Sequence, residues 1–151
     1  MTKFLAVCLS VMLASSAVFG VSPVPESFAL AERLDTPVGF FVFETPVGKC
    51  VIRGDGMGEI LQRGRRHVFF LKAGGKDSID RLYFLEHEGD LLLFYELKDE
   101  SAYLVRFDPV KRKARWITPV TARGVPVLDG AAVVIEATQI SKIDGHILRQ
   151  D

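Results

Sequence analysis

The sequence predicts an all-β domain, an antiparallel meander of about 9–11 short strands preceded by an N-terminal signal helix. Three observations predict it. From Val38 onward, short runs rich in Val, Ile, Phe, Tyr and Leu recur. Gly, Pro, Asp or Lys breaks them roughly every 5 to 10 residues, as turns between short strands require. No segment after residue 38 sustains the 3.6-residue period of an amphipathic helix.

The chain opens with Lys3 ahead of an uncharged run from Phe4 to Gly20, the layout of a secretory signal. The run falls short of the roughly 20 apolar residues that span a bilayer comfortably. Val18 and Gly20 are suitable small residues for cleavage, as are Ser27 and Ala29. Cys8 lies too early to carry a lipid anchor, so residues 1–20 are expected to leave as a signal peptide. The expected destination is periplasmic or extracellular, and the membrane enters only if the signal segment stays uncleaved. Residues 21–37, rich in proline, read as a linker or lead-in arm, with Phe28 to Leu34 long enough for a helical turn or two. Residues 38–151 then form the single β-rich domain.

The expected strands are 38–44, 49–53, 59–63, 66–72, 79–87, 91–97, 102–107, 114–119, 131–137, 139–143 and 146–149. Alternation sets Tyr103, Val105 and Phe107 on one face of their strand, with Ala102, Leu104 and Arg106 on the other. Leu91 to Tyr95 leaves neither face for water, so that strand is expected to be central and covered on both sides. Turn chemistry falls between the runs, at Gly74–Gly75, Glu88–Asp90, Lys98–Ser101, Asp108–Pro109, Asp129–Gly130 and Asp144–Gly145.

Lysines and arginines balance the acids at 19 each. Loss of Lys3 leaves a net charge of about −1, with no global basic field to hold nucleic acid. The chain has no Asn, hence no N-glycosylation acceptor. Cys50 alone remains after the leader, so no internal disulfide is available.

Chemistry-bearing residues are scattered. Cys50 in a strand reads as a small buried hydrophobe, although a histidine brought beside it would make a nucleophile. His67, His87 and His146 lack zinc-ligand spacing. Glu86, Glu88 and Asp90 offer oxygens to a hard cation but read better as a solvated hairpin end. The glycines of "RGDGMGE" lack the helix N-terminus that powers a phosphate cradle, and suit a turn of positive φ. No catalytic, cofactor or metal residue is assigned. Two basic patches stand out as candidate partner-binding residues: Arg63, Arg65 and Arg66, and then Lys111, Arg112, Lys113 and Arg115.

Three segments share a grammar of strand, turn, strand, Asp-bearing turn and strand, with Asp55, Asp108 and Asp144 spaced by 53 and 36 residues. "HVFFLKAGGKDSIDRLYFLEHEG" reads as a fourth, degenerate copy. "YLVRFDPVKRKARW" and "ISKIDGHILRQ" resemble β-propeller repeats of the PQQ-like or WD40-like kind. The resemblance implies blades that are meanders with an Asp-bearing turn before the last strand, and carries no cofactor motif. Closed propellers use about 4 to 8 blades of roughly 40 residues, whereas the stretch after Val38 makes about three. A self-contained sandwich or barrel is therefore preferred to a propeller-like sheet stack whose open ends meet a partner. The function expected is a non-enzymatic exported domain that binds a protein or envelope component, with a homo-oligomer as a further option. The alternative is a small ligand-binding module or enzyme with a pocket near Cys50.

Overall fold

The computed structural model describes residues 24–34, 36, 39–75 and 78–150, and the expected leader at 1–20 lies outside them. Among the described residues there are fifteen strands and no helix. A leading arm contributes β1 (Glu26–Ser27), β2 (Ala29–Leu30) and β3 (Glu32–Leu34). Three four-stranded meanders follow. The first is β4 (Phe40–Thr45), β5 (Gly48–Arg53), β6 (Met57–Gln62) and β7 (Arg65–Phe70). The middle one is β8 (Ile79–His87), β9 (Asp90–Leu97), β10 (Ala102–Asp108) and β11 (Lys113–Val120). The last is β12 (Val127–Asp129), β13 (Ala132–Ile135), β14 (Thr138–Ser141) and β15 (Ile147–Arg149).

All pairings are antiparallel and no sheet closes: the orders are β3-β4-β5-β6-β7, β2-β8-β9-β10-β11 and β1-β12-β13-β14-β15. Of the expected arrangements, the closed barrel gives way to three open sheets. Each expected strand is present. The count exceeds 9–11 because β12 and the three arm strands escaped the pattern.

The middle sheet is covered on both faces. Phe41, Phe43, Cys50, Ile52 and Ile60 of the first sheet share a buried cluster with Leu91, Leu93, Tyr95, Val105 and Phe107 of the middle one. The alternate residues Leu92, Phe94, Ala102 and Leu104 pack with Leu128, Val133, Ile135 and Ile140 of the last sheet. Every residue of β9 is buried, as its unbroken apolar run requires. Each of its large side chains contributes about 1.5–3 kcal/mol of burial.

The arm crosses all three sheets. Its strands pair with β12, β8 and β4, the first meander strand of each sheet. Phe28 and Ala31 drop into the two gaps between sheets and are buried. Sheets pack about 10 Å apart and an extended chain rises about 3.3 Å per residue, so three residues traverse one gap. The Phe28 and Ala31 amides donate to the carbonyls of Pro126 and Leu82. The helical turn expected over Phe28 to Leu34 is thus replaced by an extended crossing.

The repeat frame also shifts. Asp108 ends the third strand of its meander and Asp144 lies between the third and fourth of its own, whereas Asp55 lies between the second and third. The stretch read as a fourth copy is β7 of one sheet joined to β8 of the next.

Candidate functional site

In a four-stranded meander the first and third turns lie at one end and the second turn at the other. Hydrogen bonds between turns show that the three sheets are aligned end to end. At one end, Gly54 O in the β5–β6 turn accepts from the amides of Ser78 and Ile79, and Ser78 O accepts from Lys98 N in the β9–β10 turn. There too Glu96 holds the Gly124 amide at 3.0 Å and Arg123 at 3.6 Å. The other end consequently gathers the turns β6–β7, β8–β9, β10–β11 and β14–β15, which include both basic patches.

Asp90 organises that end. Buried at the start of β9, it accepts from Nε of both Arg106 and Arg115 at 2.6 Å on Oδ2. Arg115 also donates to Asp108 at 3.1 Å, and Arg106 to Glu88 at 3.3 Å. Arg106 then reaches the last sheet, donating to the Lys142 carbonyl at 3.0 Å, which Trp116 Nε1 also uses at 3.1 Å. Lys142 Nζ lies 2.8 Å from His87 Nε2. His87, Lys142 and Arg106 together hold the Glu88 carboxyl below the usual carboxylate range.

The β10–β11 turn follows from its sequence. Asp108 precedes Pro109, whose fixed φ suits the second position of a type I turn. Asp108 Oδ1 accepts from the amides of Val110 at 2.9 Å and Lys111 at 3.1 Å. Those amides, reinforced by Arg115 and Lys111, hold the Asp108 carboxyl low. The turn projects Lys111, Arg112 and Lys113 into solvent.

The seven cationic candidates therefore divide. Arg115 is committed to Asp90 and Asp108, and Arg66 to Glu59 at 3.1 Å. Arg63, Arg65, Lys111, Arg112 and Lys113 are exposed. Among the described residues the salt bridges of this end go to other cations. Beside the first patch, Gln62, Arg63, Arg65 and His67 line a shallow open depression of about 440 Å³.

The remaining candidates resolve into structural parts. Cys50 sits in the first-sheet core, and burial pushes its thiol up to about 12. Ile60 pairs with both Cys50 and His67, which sets the histidine two strands away, roughly 10 Å at the usual strand spacing. Cys50 and His67 are therefore not paired. Among the described residues no cluster of His, Cys, Asp and Glu suits a metal ion, and the Glu88 and Asp90 oxygens are occupied by arginines. In "RGDGMGE", Arg53 and Asp55 bind each other and Asp55 accepts from Met57 N. Gly56 has φ +95°, and an added Cβ would sit 2.4 Å from Leu71 O. Sequence reasoning missed the Arg106–Asp90–Arg115 arrangement, because those residues come from three strands and meet only through sheet register.

No protein-family model, curated protein or solved structure matches the chain. The functional reading accordingly rests on the geometry of this end of the stack.

Proposed function

We propose that the chain is an exported, non-enzymatic β-domain that binds an acidic surface of another envelope protein through the end carrying Arg63, Arg65, Lys111, Arg112 and Lys113. One observation carries the reading. Two basic segments 48 residues apart at Arg63 and Lys111 occupy the same third turn of adjacent meanders. Their neighbours Glu88, Asp90 and Asp108 are meanwhile paired with Arg106 and Arg115. Cations left exposed beside neutralised acids produce a local positive field on a nearly neutral domain, which favours association with an acidic partner. The three sheets pack face to face, which fixes these turns relative to one another.

The test is affinity recovery from a native envelope extract with wild-type protein and a Lys111→Glu, Arg112→Glu, Lys113→Glu variant. Recovery of a partner should fall more than tenfold in the variant and decline with added salt, since rim charges act through screened encounter. Equal recovery by the two proteins excludes this end as the binding surface. Fractionation of expressing cells tests export, with a shortened chain expected outside the cytoplasm.

A further inference from the structure

The first and last sheets each turn one face to the middle sheet, and among the described residues nothing covers the other. On the first sheet the uncovered face carries Phe40, Val42, Val51, Leu61, Val68 and Phe70, the residues alternate to its buried set. Phe70 is 77% exposed, Val68 40% and Leu61 39%. Large apolar side chains exposed together on the neighbouring strands β6 and β7 make the kind of patch that marks an interaction surface. Its charges balance, Glu32, Glu44 and Glu59 against Lys49, Arg53 and Arg66, with Glu59 3.1 Å from Arg66 and Glu44 directly across from Lys49. A face neutral in this way meets a second neutral face without repulsion.

The uncovered face of the last sheet has a complementary make-up. It presents the small residues Ala132, Val134 and Val127 with Gln139 and Ser141, and Asp129 and Arg149 at its margins. Phe40, Leu61 and Phe70 on one face thus correspond to Ala132 and valines on the other. Two junctions of this face-to-face kind already exist in the chain, first sheet on middle and middle on last.

We propose that the uncovered face of the first sheet docks on the uncovered face of the last sheet in a second copy of this chain, and reciprocally, so that two copies close head to tail into a ring of six sheets. Three sheets cannot close a radial stack, whereas six lie within the range of about 4 to 8 that does. A head-to-tail contact that closes forms a ring of defined size. Area favours this over two first-sheet faces meeting each other. The first sheet, one strand of three residues and four of six, covers roughly 430 Å², so a like-with-like pair buries about 860 Å², under the roughly 1,000 Å² that a specific interface needs. The last sheet, with strands of two, three, four, four and three residues, covers roughly 250 Å², and two such junctions together bury about 1,000 Å², which reaches that level. This contact uses sheet faces, not the cationic end, and stands independently of the proposed partner.

Sedimentation analysis of the purified protein tests it, with protection of the Cys50 thiol as the reporter that each variant is folded. Wild type should approach the mass of two chains as concentration rises. Val68→Lys on the first sheet and Val134→Lys on the last should each fall to one chain, because a lysine buried without a partner is strongly unfavourable. Mixed together, these variants should regain a two-chain species, weaker than wild type, through the one junction that carries neither lysine. Phe70→Ser replaces Val68→Lys if the latter exposes Cys50. A wild-type protein that stays at one chain, a Val134→Lys variant that stays at two, or a mass that grows without limit overturns the proposal.

Discussion

Gly145 to alanine is the substitution whose cost the structure specifies most fully. Gly145 lies in the β14–β15 turn with φ +77°, and an added Cβ would fall 2.5 Å from Trp116 Cε3 and 2.7 Å from Thr118 Oγ1. Its carbonyl accepts from Thr118 Oγ1 at 2.6 Å, and Trp116 donates to the Lys142 carbonyl three residues earlier. The glycine is therefore the point at which the last sheet rests on the indole of the middle one. Alanine in the left-handed region costs about 1–2 kcal/mol. Overpacking against an immobilised ring adds about 1–3 kcal/mol. The expected loss is about 2–5 kcal/mol, or a melting temperature lower by roughly 10 °C for a domain of this size. Gly130 is the control, since its φ is +64° but nothing lies within 4 Å of an added methyl. Gly130→Ala should cost only the backbone share, about 1–2 kcal/mol. In a Trp116→Ala background the excess at Gly145 should shrink. Denaturant melts of the four variants measure this, and equal losses at Gly145 and Gly130 refute the seating of the indole on that turn.

Cys50, held near 12 by burial, should resist thiol reagents at pH 8 in the folded protein and react only as the domain opens, so labelling at the rate of a free thiol contradicts the assigned core. Leu93→Ala, at a fully buried position of β9, should cost about 2–5 kcal/mol by chemical denaturation, and a loss below about 1 kcal/mol places that strand outside the core. Asp108→Ala removes the acceptor of two turn amides and should cost about 1–3 kcal/mol at neutral pH. Because the folded Asp108 carboxyl is depressed, its contribution is complete above the unfolded value of about 3.9 and fades as pH falls through the lower folded value. The wild-type advantage over Asp108→Asn should shrink with acidification in that window, and an advantage that grows there reverses the sign of the linkage.

The strands of the middle sheet were legible because burial on both faces leaves a mark in composition. Leu91 to Tyr95 has no polar alternate, and Tyr103, Val105 and Phe107 separate cleanly from Ala102 and Leu104. Strand β12 was not legible, since three residues between Pro126 and Gly130 carry too short a pattern. The arm misled for a physical reason. Phe28, Ala31 and Leu34 recur at the interval of a helical face, yet here that interval is the number of extended residues needed to step from one sheet gap to the next. The basic patches were visible as runs of Lys and Arg. Their shared end, and the commitment of Arg66 and Arg115 to carboxylates, depended on register between distant strands and left no local trace.

Residue-resolved amide hydrogen exchange tests most directly whether three sheets are stacked and threaded by the leading arm. The slowest amides should lie in β9, and those of Phe28 and Ala31, bonded to Pro126 and Leu82, should be protected well above their exposed neighbours. Free exchange throughout the arm, or slowest exchange in a peripheral strand such as β7 or β15, contradicts the account.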